Sequence, residues 1–334
     1  MNINLQNFNS KVSALPDSAQ NYLRTTGTQS ALSTRLGYAI DLNDFFDWLI
    51  ENSPNFCDLK KENIITENIK KINSEDISNY ISFQSDRGLK ERTVARKRSA
   101  LSSYFTYLVN NRYIPYNPVA AAAKVKIKKT DEVLYMNMDE QNIFYNTVDN
   151  GIGLPDGAAK RHDKYRVRDK ALIMLMLDTG MRVSEINSIN INMLDLEECS
   201  VIVERKGHKI QKIYFSEDVK NLIEEYLLER NITGSLLNNK NPLFITTSGN
   251  RLSIRAIQIL VKKYSTSALP GKGLSITPHK LRSSFAMEFY GVGHDLLALQ
   301  RKLGHENIVT TNVYAKATDQ TMRETKEWRK KVKK

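Results

Sequence analysis

Cysteine is scarce in this sequence, and its scarcity argues against two kinds of protein. The 334 residues include only two cysteines, Cys57 and Cys199, and neither belongs to a CxxC motif or a Cys/His cluster. A disulfide framework or a structural zinc site requires more such residues at characteristic spacings. We therefore expect a protein of a reducing cytoplasm that holds no metal.

Long hydrophobic runs are also missing. The most apolar stretch, Ala171 to Leu177, is far shorter than the roughly 20 residues that a membrane-spanning helix needs. The N-terminal segment MNINLQNFNSK has no basic region followed by an apolar stretch, so no secretory signal is predicted. The sequence thus predicts a soluble, cytoplasmic protein without a membrane-spanning segment.

Acidic residues are fewer than basic ones. Asp and Glu number 37 against 49 Lys and Arg, which gives a formal net charge of +12. Such an excess favours a polyanionic partner, either nucleic acid or an anionic membrane surface. The membrane surface is the weaker alternative, because no amphipathic helix with a continuous basic face is present. The length predicts two domains.

The N-terminal part of the chain is predicted to be a helical bundle. Up to about residue 15 it shows no apolar pattern, and we expect a loose lead-in there. Apolar residues then recur at steps of three and four in residues 31–50, in a segment with Ser74 as its expected N-cap, and in residues 100–108. Residues 120–132 alternate small and basic side chains, which is typical of an interdomain linker, either solvated or with its lysines along a phosphate backbone.

The rest of the chain shows a mixed pattern. Residues 200–203 and 210–215 alternate around a turn at Gly207, which predicts a β-hairpin. Helices are predicted at residues 138–148, 170–177, 217–230, 253–264, 279–290 and 296–303. The expected fold class is mostly α with a small β-hairpin. We divide it into a helical domain of residues 1–122, a basic linker of residues 123–134 and an α+β domain of residues 135–334.

Five segments of the second domain carry polar side chains that a hydrophobic core would not need. Each one alone has an ordinary structural explanation, such as an exposed charge or a core tyrosine. Together they form a chemically complete set, because guanidiniums bind phosphate oxygens, imidazoles and a lysine transfer protons, and a tyrosine hydroxyl can attack. The candidate catalytic residues are Arg182, Lys206, His279, Arg282, His305 and Tyr314.

This ordered set resembles the Arg–Lys–His-x-x-Arg–His–Tyr signature of the tyrosine recombinases, the phage-integrase and Xer-like family. The motifs TGMRVSEI, HKLR and LGH carry the resemblance. The spacings are similar to those of the Xer branch, with 24 residues from Arg182 to Lys206, 23 from Arg282 to His305 and nine from there to Tyr314. The N-terminal helices resemble, more loosely, the SAM-like core-binding domain that completes a two-domain DNA clamp in this family.

The resemblance implies a site-specific recombinase that cuts and rejoins DNA without ATP, a metal or another cofactor. Tyr314 would attack the scissile phosphodiester to form a 3′-phosphotyrosyl intermediate, and the two arginines would stabilise the phosphate. Lys206 would protonate the leaving 5′-oxygen, His279 would assist proton transfer, and His305 would bind a phosphate oxygen. Glu185 would orient the site, with a surface salt bridge as the alternative. The task would be integration or excision of a mobile element, or resolution of replicon dimers.

The expected partners are double-stranded DNA with paired recognition sites and further copies of this chain, or a related recombinase, in a tetramer. Basic residues at the start of the third predicted helix would contact phosphates. A helix capped by Ser253 would lie in a major groove, with a solvated face as an equal alternative. The candidate DNA-binding residues are Lys90, Arg92, Arg96, Lys97, Arg255, Gln258 and Lys262.

Two other functions share this pattern. A type IB topoisomerase uses the same chemistry, and a catalytically silent DNA-binding regulator would keep the same fold. The small helical domain and the 20 residues after Tyr314 favour a recombinase, and the intact set of six residues argues against lost activity. Ser283 stands where many family members have another histidine, outside the family's catalytic positions. The tail from Ala315 to Lys334 is expected to pack on a neighbouring protomer, the alternative being a disordered basic tail.

Overall fold

The computed structural model describes residues 3–28, 30–122, 124–126, 133–205, 209–232 and 240–318. The chain divides into two compact units, Met1–Thr130 and Asp131–Lys334. Helices dominate both, and the second unit also contains a three-stranded antiparallel sheet, which confirms the predicted fold class. In the part of the chain that the structure describes, no helix is long and apolar enough to cross a membrane.

The first unit is a helical bundle around one apolar core. Its buried face is rich in aromatic rings, and the rings of Phe45 and Tyr80 meet edge to face at a centroid distance of 5.0 Å. The helices are α1 Ile3–Ser13, α2 Asp17–Thr25, α3 Leu32–Asn52, α4 Thr66–Ile69, α5 Ser74–Asp86, α6 Glu91–Asn110 and α7 Pro118–Ala121.

Two details of this unit differ from the sequence prediction. The predicted lead-in is helix α1, because Phe8, Val12 and Leu15 bury their side chains in the core. The N-cap of α5 is Asn73, whose side-chain oxygen accepts hydrogen bonds from the first turn, so the prediction of Ser74 as the cap was wrong by one residue. Asn and Ser are comparably good caps, and the sequence alone did not distinguish them.

A buried ionic cluster joins α3 to α6. The ammonium group of Lys97 lies 2.9 Å from Asp44 Oδ2 and 3.6 Å from Asp41 Oδ1, and Tyr80 donates a hydrogen bond to Asp44. Burial raises the pKa of Asp41, although Arg96 and Lys97 oppose the shift. Burial also acts on Asp44, but hydrogen bonds from Lys97 and Tyr80 outweigh it and lower the pKa of that carboxyl. The cluster therefore fixes one face of α6.

The second unit packs its helices around the long, largely buried α10. A single cluster of apolar side chains, to which α8, α10, α12, α13 and the sheet contribute, forms its main core. The helices are α8 Met138–Asn150, α9 Asp156–Ala159, α10 His162–Thr179, α11 Val183–Ser188, α12 Glu217–Glu229, α13 Ile254–Ala268, α14 Pro278–Gly293, α15 Leu296–Leu303 and α16, residues 309–318.

The sheet contains the predicted hairpin and one further strand. Three strands pair in chain order: β1 Leu194–Asp195, β2 Ser200–Arg205 and β3 Lys209–Tyr214. Arg205 lies opposite Lys209, the last described pair before the hairpin turn. Strand β2 is two residues longer than predicted. The two-residue β1 is too short to show an alternating pattern, which explains why the sequence did not reveal it.

Candidate active site

A tight turn between α10 and α11 places Arg182. Gly180 is the C-cap of helix α10; its φ of +61° favours glycine, and a β-carbon there would lie 2.3 Å from the ring of Phe285. Arg182 is the N-cap of α11, and its backbone N–H donates to Glu185 Oε2 at 2.8 Å. Its Nη1 donates to Glu185 Oε1, also at 2.8 Å. The turn therefore holds Arg182, whose side chain remains 36% exposed.

Helix α14 carries His279 and Arg282 one turn apart. Arg282 is 2% exposed, and its fork donates to the carbonyl oxygens of Gly180 and Leu303, each at 2.6 Å. Burial first, and then the nearby charge of Arg182, lower the pKa of Arg282 to about 10, so it is charged at neutral pH. The exposed His279 has a lowered pKa for the same reasons, since protein atoms cover part of its ring and cations lie near it.

The C-terminal end of α15 binds side chains from four other segments. The last carbonyl groups of a helix lack intrahelical partners and carry its negative dipole end. Here each of four consecutive carbonyls accepts a side-chain hydrogen bond, and three of the donors are arginines. In chain order, the carbonyl oxygens of Arg301, Lys302, Leu303 and Gly304 accept from Gln211, Arg205, Arg282 and Arg182 at 3.3, 2.9, 2.6 and 3.3 Å.

The segment that follows α15 brings His305 and Tyr314 to the same place. His305 Nδ1 lies 2.8 Å from the hydroxyl oxygen of the buried Thr311, one turn before Tyr314 on α16. Burial and the charges of the nearby arginines lower the pKa of His305 to about 4, so its imidazole is neutral at pH 7. Tyr314 is 4% exposed and packs in a small apolar cluster with Phe285 and Leu303.

Five of the six predicted catalytic residues therefore lie in one part of the second unit. The sixth, Lys206, lies outside the described residues, directly after β2. Sequence reasoning missed Arg205, a buried third arginine of this site. The signal was present in β2, where Val201, Val203 and Arg205 alternate onto the buried face, but the predicted strand ended at Val203.

The predicted DNA-binding residues occupy two surfaces, one in each unit. Lys90, Arg92 and Arg96 are exposed at the start of α6, although Arg96 also hydrogen-bonds Asp41. Lys97 does not belong to that surface, because it is 7% exposed and engaged by the ionic cluster of α3. This placement does not support the prediction that it contacts DNA. Arg255, Gln258 and Lys262 are exposed on one face of α13, together with the apolar Ile259.

A site with paired guanidiniums, neutral imidazoles and a tyrosine is equipped to transfer a phosphoryl group through a covalent intermediate. Comparisons with known proteins agree. The family model "Phage integrase family" matches residues 156–321, and "Phage integrase, N-terminal SAM-like domain" matches residues 19–112. The chain belongs to the phage integrase family of tyrosine recombinases, on its Xer-like branch. It is a site-specific recombinase, an enzyme that cleaves and rejoins DNA.

Individual relatives cover most of the chain. It is 33% identical over 285 residues to tyrosine recombinase XerC of Thermodesulfovibrio yellowstonii, covering 84% of each chain. It is 31% identical over 314 residues to XerC of Caldanaerobacter subterraneus subsp. tengcongensis, covering 91% of this chain and 83% of the relative.

Among solved structures, XerH bound to a palindromic difH substrate is similar with a TM-score of 0.69, at 21% identity over 96% of this chain and 93% of that one. The Tn1549 transposon integrase in complex with transposon right end DNA has a TM-score of 0.66 at 19% identity, over 92% of this chain and 98% of that one. These likenesses show the shared fold.

Proposed function

We propose that six residues of the second unit carry out the recombination chemistry on double-stranded DNA. Tyr314 attacks the scissile phosphorus, which forms a 3′-phosphotyrosyl bond and breaks the bond to the 5′-oxygen. Lys206 gives a proton to that oxygen. Attack by the 5′-hydroxyl of a partner strand reverses these steps, so the number of phosphodiester bonds is conserved and no ATP is consumed.

The observation that carries this proposal is the convergence of Arg182, Arg282 and His305 at the C-terminal end of α15. Each arginine offers five N–H donors, and the contacts to Glu185 and to backbone carbonyls use only some of them. The remaining donors of Arg182 are the more accessible. Preorganised cations stabilise the charge that develops on a pentavalent phosphate.

The two imidazoles would act as neutral groups. Because the pKa of His305 lies near 4, at pH 7 this ring donates a hydrogen bond from one nitrogen and accepts at the other. The lowered pKa of His279 favours a neutral ring that accepts the phenolic proton when Tyr314 attacks. His305 would bind a non-bridging oxygen of the phosphate.

A duplex nicked close to the cleavage point tests the nucleophile. The short fragment that carries the free 5′-hydroxyl diffuses away after cleavage, so rejoining is prevented and the covalent complex accumulates. Mapping the genomic DNA to which the protein becomes linked first supplies the site, and shows whether it belongs to a mobile element or to a replicon. Tyr314→Phe should bind this duplex yet form no adduct stable to detergent. The matched control is Tyr290→Phe, on α14 beside the same apolar cluster. An adduct with Tyr314→Phe would disprove the assignment.

We also propose that recombination uses paired sites and a homo-tetramer in the cytoplasm, with the tail of each chain docked on its neighbour. Residues 319–334, which lie outside the described part, contain seven Lys and Arg against three Asp and Glu, with Trp328 among them. A cleft of about 970 Å³ between α8, α10, α12 and α14 offers the complementary surface. Its lining includes apolar rings, the cation Lys302 and four carboxylates: Asp178, Asp218, Glu225 and Glu288.

A further inference from the structure

Arg205 occupies an unusual position for an arginine. It ends β2 on the buried face of the sheet, and its side chain is 5% exposed. Its Nη2 donates to the carbonyl oxygen of Lys302 at 2.9 Å, across 97 residues of sequence. Its Nε lies 3.9 Å from Oε1 of Glu185, the oxygen that Arg182 also binds. Burial lowers the pKa of Arg205, and the carboxylate of Glu185 partly offsets that effect.

Gly304 makes room for this side chain. A β-carbon on residue 304 would lie 1.7 Å from Nη1 of Arg205 and 2.7 Å from its Cδ, so only glycine permits the contact. Gly304 also has a φ of +61°, which L side chains rarely adopt. The guanidinium therefore packs against the backbone between α15 and His305. Arg205 and Gly304 form a matched pair, although they come from a strand and a helix end.

The placement of Arg205 differs from that of Arg182 and Arg282, because two of its guanidinium nitrogens are buried without a hydrogen-bond partner in the described part of the chain. Its Nε and Nη1 are buried and have no hydrogen-bond partner among the described residues, and its Nη2 is occupied by Lys302. Arg182, in contrast, keeps 36% of its side chain exposed. The described structure leaves these two nitrogens without an exposed surface that a phosphate could contact. Arg205 is thus suited to hold two segments together.

We propose that Arg205 is a positioning residue that fixes the Lys206 hairpin against the C-terminal end of α15. Lys206 follows Arg205 directly in the chain, and His305 follows Gly304. The contact between Arg205 and Gly304 therefore fixes the point at which the chain leaves β2 towards Lys206, relative to the backbone of His305. This inference rests on the proposed function, in which Lys206 protonates the 5′-oxygen.

A double-variant cycle tests the route by which Arg205 acts. Single-turnover cleavage of the nicked duplex is measured for Arg205→Ala, Lys206→Ala and the double variant, at protein concentrations that saturate the DNA. Because a positioned general acid contributes about 10²–10⁴-fold, we expect Arg205→Ala to slow cleavage at least about 10-fold. The double variant should be no slower than Lys206→Ala alone. Fully multiplicative defects would overturn the proposal.

A matched control separates this effect from a general loss of charge on the hairpin. Lys212 lies on β3, is exposed and pairs with Glu198. Lys212→Ala removes one cation from the same hairpin, and we expect it to cleave within about threefold of the parent under saturating conditions, since it contributes no general acid. A defect as large as that of Arg205→Ala would count against a specific role.

A 5′-bridging phosphorothiolate distinguishes failure of this inference from failure of the proposed function. Sulfur leaves without protonation, so the defect of Lys206→Ala should shrink on this substrate, and that of Arg205→Ala should shrink with it. If only Lys206→Ala recovers, Arg205 does not act through Lys206. If the cleavage rate of Lys206→Ala does not recover on this substrate, the general-acid assignment of Lys206 is wrong. The double-variant cycle then still decides whether Arg205 and Lys206 act together.

A second pair of variants guards against misfolding of Arg205→Ala. Gly304→Ala should displace the guanidinium and slow cleavage, because the added methyl group occupies its place. Adding Arg205→Ala to Gly304→Ala removes that clash. The fold reduction in cleavage rate of this double variant should therefore be smaller than the product of the fold reductions of the two single variants. Thermal unfolding of each variant reports the fold. If the defects simply multiply, the matched packing of Arg205 and Gly304 is not what positions the hairpin.

Discussion

Glu185 binds both the backbone and the side chain of Arg182. One carboxylate oxygen accepts a hydrogen bond from the backbone N–H of Arg182, and the other accepts one from its Nη1, each at 2.8 Å. Glu185 is 4% exposed, so the sequence-based alternative of a surface salt bridge is wrong. The buried carboxylate of Glu185 therefore has two roles, because it caps the N-terminus of α11 and orients the guanidinium of Arg182. It holds Arg182 in one orientation before the substrate arrives, so less reorganisation is needed during the reaction.

Glu185→Gln should therefore impair both cleavage and stability. The amide cannot accept both hydrogen bonds and leaves the arginines of the site without a counter-charge, which should lower the free energy of unfolding by about 1–3 kcal/mol. Misplacement of Arg182 should slow cleavage about 10²-fold. Urea unfolding and single-turnover cleavage measure the two effects. The control is Glu198→Gln, an exposed partner of Lys212, and equal effects of the two substitutions would contradict the role of Glu185.

His305 should make the protein less stable in mild acid. Its pKa is about 4 in the folded protein, against about 6.5 for an unfolded chain. Below pH 6.5 the unfolded state therefore takes up a proton that the folded state does not, and the free energy of unfolding falls until the pH approaches 4. His305→Gln should remove this part of the pH dependence.

Chemical unfolding at pH 7 and pH 5 measures the effect, and an NMR titration of the ring reports the pKa directly. His294→Gln is the control, since that exposed imidazole lies at the end of α14 outside the site. Removing a nearby cation with Arg182→Ala should raise the pKa of His305, because like charges disfavour protonation. A ring that titrates near 6.5 in the unmodified protein would refute this account.

Gly180→Ala should cost more stability than an ordinary glycine replacement. The positive φ alone costs about 1–2 kcal/mol for an L residue. The new β-carbon would also lie 2.3 Å from Cδ1 of Phe285 and would disturb the carbonyl that binds Arg282. Gly271→Ala is a matched control, because its φ is +90° and nothing lies within 4 Å of its β-carbon. Urea unfolding should show the larger loss for Gly180→Ala, and equal losses would exclude the packing contribution.

Local sequence signals revealed the site where they reflect local geometry. Gly180, two residues before Arg182, and Gly304, directly before His305, mark helix ends, and the spacing of His279 and Arg282 is one helical turn. Arg205 escaped notice because its acceptor lies 97 residues away, and no local pattern reports such a contact. A buried arginine also contradicts the usual burial preference, so its residue type gives no sign that it faces the core.

The same limit explains the errors in the first unit. Helix α1 contributes only a few apolar residues, which become significant through the core that α3 provides. Lys97 was assigned to a basic surface because its sequence neighbours are basic. Its burial depends on Asp41 and Asp44, more than 50 residues earlier in the chain.

Substitutions on α13 and α6 should separate DNA contacts from buried charge. If Arg255 and Lys262 contact phosphates, replacing either with alanine should reduce the slope of log affinity against log salt by about 1. Lys97→Ala should leave that slope unchanged and instead lower the free energy of unfolding by about 1–3 kcal/mol, because Asp41 keeps Arg96 and Asp44 keeps Tyr80, but both lose the buried cation. Gel-shift titrations at several salt concentrations, together with urea unfolding, measure both. Unchanged slopes for the α13 variants would indicate a solvated face.

The acidic cleft and the basic tail lead to the last prediction, which concerns assembly on paired sites. Truncation after Thr318 removes the tail without touching the described helices, so single-site affinity should stay within about threefold if the tail binds protein and not phosphate. Cooperative filling of two sites and strand exchange should be lost. Asp218→Lys/Glu225→Lys should reproduce this loss, because it reverses charge at the cleft, whereas Glu229→Lys changes charge on the same helix but outside the cleft and should not.

Gel-shift titrations on one-site and two-site DNA at two salt concentrations discriminate between docking and a nonspecific role for the tail. A tail that only adds positive charge would, when removed, weaken binding to every DNA and flatten the salt dependence. Cooperativity would then persist, and the cleft variants would behave like Glu229→Lys. That combination would rule out docking of the tail on a neighbouring protomer. Loss of cooperativity in both the truncated chain and the cleft variants, at unchanged salt dependence, is the result that docking predicts.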